Sequence, residues 1–555
     1  MSMRRSFAVA LWCLAVGCGG RGAQWDTPVA APVTPLGLRN AAALIDTNLK
    51  RAVVLRAGAD QGLSIDAVPL GKNIVSTATS PDGSRIFVLS QGETTRLSAA
   101  DEGPSLTVIE AAHPTVSKRY DLPDALTSLA IDPAGRFAIV YAGDNPGGSF
   151  IKNPNELIFV DVTADPKPKE NPFLRTLPSN VGGSPKRLTF TDPLHFARSD
   201  RRLLVVETDR DVMLVDLDDR NRPEISLPVT DPRTDARPLA PAGIAVEAGD
   251  PAAVMDRPPV IAVRTTTDDN VLLYTLRPST DPASDDFAPT PNLAFVGGVP
   301  SDIAFVSTNQ GGRLAALVPS PTATGVLVKV DDNQTLTAKL TVPYQQMSLV
   351  TGSVSGASGG GDQVLLWSGS GGVASIAIWD LGKVPDAAYN DIDTLKSVET
   401  LNLSGPVESV VGVADPTLKV LTTSNQSLYV LDLGRHKASP LNTTTDVALR
   451  FSLAGDRAWA FVPGEPELAQ IALGGPDVAR VVIDRAVDDV LEIEREGGGK
   501  ALLAFHGLGD STVPISFRSS STGRPGVGVT VFDASTPDAV TSRRYSSVML
   551  ERLMP

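Results

Sequence analysis

One short motif recurs through most of this chain: an apolar strand of four or five residues that ends in an acid or a turn residue. Clear copies are Leu106–Glu110, Leu157–Asp161, Val212–Asp216, Val271–Thr275, Val326–Asp331, Ile376–Asp380, Leu428–Asp432 and Val529–Asp533, with a weaker copy at Leu468–Ala472. The first seven begin at residues 106, 157, 212, 271, 326, 376 and 428, at intervals of 50 to 59 residues. A period of this length indicates a repeated supersecondary unit that must stack on its neighbours to bury its faces.

Each unit contains further strands around this motif. A second strand precedes it, often entered through a tight turn such as Ser80-Pro-Asp-Gly83 or Asp132-Pro-Ala-Gly135, where glycine supplies the positive φ that a hairpin turn needs. Another apolar strand, such as Leu126–Ile131, comes before that turn, and a fourth, such as Val116–Tyr120, closes the unit. Four short strands per repeat predict an all-β fold, a single β-propeller of four-stranded blades.

The number of blades follows from counting these quartets of strands. We count nine between about residues 72 and 550, with two spare strands near 42–47 and 51–56. The sequence therefore predicts about eight to nine blades, with seven as the alternative. We expect the spare N-terminal strands to pair with the C-terminal end of the chain and close the ring, because closure removes exposed sheet edges.

The N-terminal residues have the build of a bacterial export signal. Arg4 and Arg5 precede the apolar stretch Phe7–Val16, and small residues lead to Cys18. The ending Leu14-Ala-Val-Gly-Cys18 resembles the lipobox of bacterial lipoproteins, which implies that Cys18 is lipidated and becomes the new N-terminus. An ordinary secretory signal is the alternative. We expect a signal peptide over residues 1–17, a flexible tether over 18–40 and the propeller over 41–555.

Charge and cysteine content exclude several function classes. Removal of residues 1–17 takes away two arginines and no acid, so the formal charge falls from −14 to −16. This charge opposes binding to nucleic acid and to anionic headgroups. Cys13 and Cys18 are the two cysteines of the sequence, so lipidation of Cys18 leaves no thiol for a disulfide or a nucleophile. The apolar stretch is too short to span a bilayer, so contact with the membrane is expected through the lipid alone.

The repeat style carries a second resemblance. Ser80-Pro-Asp-Gly-Ser-Arg-Ile-Phe-Val88 and the strand ends of the Val-Asp-Leu kind resemble the exported bacterial propellers of the TolB/lactonase-like group, with YVTN-type repeats. WD40-like repeats share the architecture, but of their marks only Trp379-Asp380 is present. The resemblance implies the fold and no particular activity.

Two segments match catalytic motifs in part. Gly356-Ala-Ser358-Gly-Gly360 fits the nucleophile-elbow string, but it lies in a glycine- and serine-rich stretch without the strand and helix that such an elbow requires. Phe505-His506-Gly-Leu-Gly-Asp510 resembles an oxyanion-loop segment of some esterases, but it ends a repeat strand. We therefore predict no catalytic residues and no hydrolase activity that depends on Ser358 or His506.

Metal sites are considered at two turns and at the histidines. Asp268-Asp269-Asn270 and Asp331-Asp332-Asn333 form a matched pair in adjacent repeats. Their oxygen atoms could hold calcium, but Asp and Asn also satisfy tight turns through their own backbone. We favour the second interpretation and predict no cofactor, with calcium as the alternative. The four histidines, at 113, 195, 436 and 506, lack the close spacing of a metal site.

These inferences favour a non-enzymatic, lipid-anchored propeller that acts as a binding or scaffold surface. We expect it in the bacterial cell envelope, at the outer membrane or the periplasmic face, with an envelope protein as partner. Two alternatives remain open. The first is an extracytoplasmic metal-dependent hydrolase or lactonase with its site in the central channel, and the second is a structural subunit of an envelope assembly.

Overall fold

The computed structural model describes most of the chain. The described residues are 29–93, 98, 100–144, 151–167, 171–177, 183–196, 199–219, 221–230, 239–252, 255–279, 286–309, 311–350, 362–369, 372–384, 397–441, 447–473, 478–509 and 527–550. Within these ranges no helix is long and apolar enough to cross a membrane.

The described chain forms ten four-stranded antiparallel sheets, which are the blades of one β-propeller. Blade 1 contains β1 Pro35–Gly37, β2 Ala42–Asp46, β3 Arg51–Ala57 and β4 Leu63–Pro69. Blade 2 contains β5 Ile74–Thr79, β6 Arg85–Ser90, β7 Ser105–Glu110 and β8 Ser117–Asp121. Blade 3 contains β9 Ser128–Ile131, β10 Phe137–Tyr141, β11 Glu156–Asp161 and β12 Phe173–Thr176. Blade 4 contains β13 Pro185–Phe190, β16 Leu203–Thr208, β17 Val212–Asp216 and β18 Ile225–Leu227. Blade 5 contains β19 Pro241–Glu247, β20 Val260–Thr265, β21 Asn270–Pro278 and β22 Phe287–Phe295. A small hairpin, β14 Leu194–His195 with β15 Asp200–Arg201, is inserted in blade 4.

The second half of the ring repeats the same plan. Blade 6 contains β23 Asp302–Thr308, β24 Gly311–Val318, β25 Thr324–Val328 and β26 Thr335–Lys339. Blade 7 contains β27 Gln346–Val350, β28 Gln363–Trp367, β29 Ser375–Asp380 and β30 Val398–Asn402. Blade 8 contains β31 Val407–Gly412, β32 Leu418–Thr423, β33 Leu428–Asp432 and β34 Lys437–Pro440. Blades 9 and 10 contain β35 Ala448–Phe451, β36 Arg457–Phe461, β37 Glu465–Ala472, β38 Val478–Val487; and β39 Asp489–Glu494, β40 Lys500–His506, β41 Gly528–Asp533, β42 Arg543–Tyr545. Short 3₁₀ turns lie at Leu381–Lys383 and Val548–Leu550.

The strands form where the sequence places apolar and β-branched residues between turn residues. In blade 4 every residue of β16 and β17 is buried, as expected for the two inner strands of a sheet that is covered on both faces. The predicted hairpin turns are confirmed, because Gly83 and Gly135 have φ angles of 68° and 70°. Both values lie in the left-handed region that glycine adopts without strain.

The first strand of each blade lies nearest the centre of the ring. First strands of neighbouring blades contact each other, as β5 does β9, β19 does β23 and β23 does β27. Because the strands are antiparallel, each first strand begins, each second strand ends and each fourth strand ends on the same face of the ring. We call this the upper face, and the face of the turns between first and second strands, and between third and fourth strands, the lower face.

The core is divided among the boundaries between blades. Ten clusters of buried apolar residues are found in the described part of the chain, and each contains residues of two neighbouring blades. The cluster between blades 10 and 1 contains Leu44 and Leu55 from one side and Leu503 and Phe505 from the other. A closed series of such clusters buries both faces of every sheet, which no blade could do alone.

The predicted architecture is confirmed, but the predicted blade number of eight to nine, or seven, is wrong. Nine quartets do occupy the region after residue 72. The two spare strands are β2 and β3, and they belong to a complete tenth sheet with β1 and β4. β1 was missed because it has only three residues, Pro35-Leu-Gly37, and its proline and glycine are typical of a linker.

The ring begins earlier than the predicted boundary at residue 41. Val29, Val33 and Leu38 are 2 to 3% exposed, and β1 occupies Pro35–Gly37. The Val33 amide donates to the Leu508 carbonyl of blade 10 at 2.9 Å. The described part of the predicted tether is therefore part of the propeller, while residues 18–28 lie outside the described residues.

The ring closes by contact between complete blades, so the expected pairing of the spare strands with the C-terminal end is wrong. We call this boundary between blades 10 and 1 the seam. Its backbone hydrogen bonds run from the Glu494 amide to the Arg39 carbonyl at 2.7 Å and from the Glu496 amide to the Ala57 carbonyl at 2.9 Å. Among the described residues, three ion pairs also cross it, Arg39–Glu494, Arg56–Glu496 and Arg543–Asp60.

Candidate functional site

Three residues from the sequence predictions lie outside the described residues. These are Cys18, the predicted lipidation site, the other cysteine Cys13, and Ser358 of the nucleophile-elbow string. The lipidation of Cys18 and the lack of a role for Ser358 stay predictions.

Asp268 and Asp269 lie in the turn between the second and third strands of blade 5, on the upper face. Asp268 Oδ1 accepts hydrogen bonds from the Asn270 amide at 2.9 Å and from Asn270 Nδ2 at 2.6 Å. Asn270 Nδ2 also donates to Asp269 Oδ1 at 2.9 Å. These acids therefore stabilise their own turn, and calcium binding there stays an untested alternative.

Asp331 and Asp332 lie in the turn between the third and fourth strands of blade 6, on the lower face. Asp332 Oδ2 pairs with Lys329 Nζ at 2.8 Å, and this hydrogen bond lowers the pKa of Asp332. Because Asp268 precedes a third strand and Asp331 follows one, the two turns are separated by the height of a blade. The matched sequences therefore cannot share one cation.

The four histidines lie in different blades, 2, 4, 8 and 10. No group of three or more His, Cys, Asp or Glu side chains that could hold a metal is found in the ranges that the structure describes. His195 pairs with Asp200 at 2.9 Å and His436 with Glu399 at 2.6 Å.

His506 is the most buried of them, at 4% exposure. Its Nδ1 lies 2.6 Å from the Ala486 carbonyl and its Nε2 lies 2.8 Å from Thr530 Oγ1. A ring nitrogen facing a carbonyl must donate, so the neutral ring donates from Nδ1 and accepts at Nε2. Burial lowers the pKa of His506. The two ring nitrogens thus link blade 10 to blade 9 through Ala486 and to its own third strand through Thr530.

Instead, the charged side chains of Arg187, Glu207 and Asp302 lie near Arg264 at the upper face of blades 4 to 6. Arg187 and Glu207 belong to blade 4, Arg264 to blade 5 and Asp302 to blade 6. Arg264 is coupled electrostatically to the other three. We call this group the rim cluster, because it lies where the first strands begin around the centre of the ring.

Two second strands with the same kind of ending position Glu207 and Arg264 of the rim cluster. β16 ends Leu-Leu-Val-Val-Glu207-Thr and β20 ends Val-Ile-Ala-Val-Arg264-Thr, so each carries its charge after four apolar residues, at the upper end of the strand. Their partners in register are Arg187 and Gly243, and in each first strand a β-bulge lies just before that partner. Bulges of this kind redirect side chains at the ends of sheets.

Glu207 is almost completely buried. Its side chain is 5% exposed and its carboxylate lies 3.7 Å from Arg187 Nε, which is a long ion pair. Burial raises the pKa of Glu207, because a charged carboxylate is less well solvated there. Its Oε1 has no hydrogen-bond partner among the described residues. The negative charge of the Glu207 carboxylate is therefore only partly balanced by Arg187.

Arg264 is half-buried, and burial lowers the pKa of its guanidinium. Nη1 donates to the Pro300 carbonyl at 3.4 Å, and Nε has no partner within the described part of the chain. Gly243 leaves the space that this side chain occupies, because a Cβ there would lie 2.7 Å from Arg264 Nε. Asp302 accepts from the Ile303 amide at 2.9 Å and the Met347 amide at 2.8 Å, and burial raises its pKa.

A cavity of about 480 Å³ opens beside Arg264 and Asp302. We call it the rim cavity. The residues that line it come from blades 5, 6 and 7: Arg264, Ser301, Asp302, Pro319, Gln345 and Gln346. A guanidinium, two amides, a hydroxyl and a carboxylate suit the binding of a small polar group rather than nucleophilic chemistry.

The sequence predictions missed this site. Arg187 and Asp302 are more than a hundred residues apart in sequence, and only the ring brings both near Arg264. The signal that could have found the site is the repeated strand ending, in which a charge follows four apolar residues in Leu203–Thr208 and again in Val260–Thr265. A charge at such a buried strand end is uncommon and needs a partner.

The comparisons with known proteins extend this description only slightly. No protein-family model and no curated protein matches the chain. Among solved structures it is similar to dihydro-heme d1 dehydrogenase NirN in complex with DHE, with a TM-score of 0.38 and 11% identity, over 82% of this chain and 78% of that chain. It is also similar to a crystal structure of the eukaryotic initiation factor, with a TM-score of 0.40 and 11% identity, over 75% and 88%. Neither likeness bears on the activity of this chain.

Proposed function

We propose that this protein is a non-enzymatic, lipid-anchored propeller of the bacterial cell envelope that binds a partner at the rim cavity. The single observation that carries the proposal is that polar atoms of Glu207 and Arg264 in the rim cluster lack hydrogen-bond partners beside an open cavity. Buried polar groups in folded proteins are nearly all hydrogen-bonded, so those that are not point to a partner from outside. The binding surface spans blades 5, 6 and 7 on the upper face.

The proposed anchor brings the same face towards the membrane. Eleven residue steps separate Cys18 from Val29, and a chain of that length reaches at most about 40 Å. The segment that begins at Val29 runs into β1, whose start lies on the upper face at the seam. A lipidated Cys18 would therefore hold the rim cavity on the side of the ring that faces the bilayer.

The anchor is tested by Cys18→Ser with cell fractionation and mass spectrometry. We expect the parent protein to pellet with membranes and to carry acyl chains, because stable anchoring takes more than one chain. The variant should move to the soluble envelope fraction. Unchanged pelleting of the variant, with no lipid on the parent, would overturn the anchor.

The binding surface is tested by photocrosslinking in cells. A photoreactive amino acid replaces the exposed Gln345 at the rim cavity, and Val540, which is 90% exposed on the lower face, serves as the matched control. We expect a discrete adduct from position 345 and none from 540. Equal adducts from both positions, or adducts from 540 alone, would contradict the proposal.

The non-enzymatic part is tested by an esterase screen of the purified protein, with Ser358→Ala and His506→Ala beside it. We expect no turnover from the parent. Turnover that either substitution abolishes would favour the hydrolase alternative.

A further inference from the structure

We infer that the rim cavity binds a carboxylate group, with Arg264 as its charge partner and Gln345 and Gln346 as amide donors. This inference rests on the proposed function of the cavity as a binding site and adds the chemical class of its ligand.

The first argument is that Arg264 lacks an anion. In the described part of the protein no carboxylate lies within ion-pair distance of its guanidinium, and its hydrogen bond to the Pro300 carbonyl is long, at 3.4 Å. A guanidinium has five N–H donors and can bind a carboxylate through two of them at once. Partial burial of a charge without a partner costs free energy, which an anionic ligand would recover.

The second argument is that the neighbouring acids are already engaged. Asp302 accepts from two backbone amides, and Glu207 faces Arg187. Neither is therefore free to move to Arg264 without losing a contact. Arg264 is left as the cation on the cavity wall.

The third argument concerns ligand charge. The rim cluster contains two arginines and two acids, so its formal charge is zero. A carboxylate adds one negative charge, whereas phosphate adds up to two beside Asp302 and Glu207, whose pKa values are already raised by burial. Like charges in one site disfavour each other. We therefore expect the cavity to prefer a carboxylate to phosphate.

The test uses full-length protein in detergent and isothermal titration calorimetry. The probes are acetate, N-acetyl-trialanine with a free C-terminal carboxylate, the same peptide as its C-terminal amide, and inorganic phosphate. Arg264→Gln removes the charge, and Arg257→Gln is the matched control, because Arg257 is 74% exposed and pairs with Asp250 on the lower face, away from the rim cavity. Thermal unfolding of each variant checks that it is folded.

We expect the free-acid probes to bind the parent, and the amide and phosphate to bind at least about tenfold more weakly, as loss of a charged hydrogen bond implies. Arg264→Gln should weaken acid binding about tenfold or more, Arg257→Gln less than about threefold, and Arg264→Lys should retain an intermediate affinity. If the peptide acid binds more tightly than acetate, the source is a peptide terminus. Equal affinity favours a small free carboxylate.

Three results would overturn the inference: equal binding of acid and amide, tighter binding of phosphate, or equal losses in the two glutamine variants. Failure of every carboxylate probe to bind would also overturn it. If position 345 still crosslinks to a partner in that case, the proposed function stands and only the ligand class fails.

Discussion

Two arginines on the upper face, Arg51 at the seam and Arg264 at the rim, show what a propeller of this kind does with buried charge. Burial lowers the pKa of both guanidinium groups. Arg51 faces the fully buried Asp46 at 3.5 Å and donates to the Met549 carbonyl, whereas Arg264 has one long bond to a carbonyl. Arginine therefore has a carboxylate and a carbonyl as partners at the seam, but a single long hydrogen bond to a carbonyl at the rim.

The difference follows from what surrounds each side chain. Asp46 also accepts from the Ala30 and Leu49 amides, each at 3.1 Å, so the Arg51–Asp46 pair lies inside a hydrogen-bond network. The rim cluster borders an open cavity. A complete buried network stabilises one structure, while an incomplete one is costly in the free protein. We therefore expect substitutions in the two regions to have opposite consequences.

The largest effect is expected from removing the segment that covers the seam. Deletion of residues 29–41 removes Val29, Val33 and Leu38, each of which contributes about 1.5–3 kcal/mol by burial. We expect a loss of several kcal/mol and aggregation through exposed edges, measured by thermal unfolding and light scattering. Deletion of residues 19–28 is the control. Equal unfolding midpoints for the two deletions would show that the segment does not hold the seam.

Arg51→Met should be the next most damaging change. It leaves the carboxylate of Asp46 buried without its cation, and breaking a buried pair costs about 3–5 kcal/mol. Arg264→Met, the matched control, should change the free energy of unfolding by less than about 1 kcal/mol, because no ion pair is lost. Denaturant titration compares them. Similar losses in both variants would remove the distinction between seam and rim.

A pH dependence is expected from His506, whose ring is hydrogen-bonded to Ala486 of blade 9 and Thr530 of blade 10. Its pKa is lowered in the folded protein, so the unfolded chain binds more protons below about pH 6.5. The stability that the neutral ring contributes is present above that pH and is lost as the pH falls. We expect His506→Gln to reduce the fall in melting temperature between pH 7.5 and 5.5. An identical fall in parent and variant would contradict this.

The smallest effect is expected at the rim. The pKa of Glu207 is raised by burial, so the folded protein binds protons more readily and this group destabilises it as the pH rises above about 4.5. Glu207→Gln should therefore be neutral or stabilising at pH 7, by up to about 1 kcal/mol. Asp46→Asn should be destabilising under the same conditions. A clear loss of stability in Glu207→Gln would show that the buried charge at the rim stabilises the fold, as the buried charges at the seam are expected to do.

Much of the fold could be predicted because it depends on local pattern. Apolar strands of four to six residues and turns such as Ser80–Gly83 specify hairpins without long-range information, and nine of the ten blades followed from them. The first blade was missed because Pro35–Gly37 lacks that pattern and is held in the sheet by tertiary contacts. Strand propensity is weak evidence where so few residues are involved.

The candidate site could not be predicted for a different reason. Asp268 and Asp331 look alike in sequence, but one precedes a third strand and the other follows one, which puts them on opposite faces. Arg187 and Asp302 look unrelated, and the ring brings both near Arg264. Which residues meet in a propeller depends on their position within the blade, and the local sequence pattern does not specify that position.

The way in which the ring closes has a consequence for how this chain could be rearranged. Every blade consists of strands from one continuous stretch of chain, and Val33 and Met549 lie on either side of one boundary. A circular permutation that joined these neighbouring ends and opened the chain in another loop between two blades would divide no sheet. All ten boundaries are thus interchangeable as places for the termini, and the order of the blades around the ring does not depend on which of them is synthesised first.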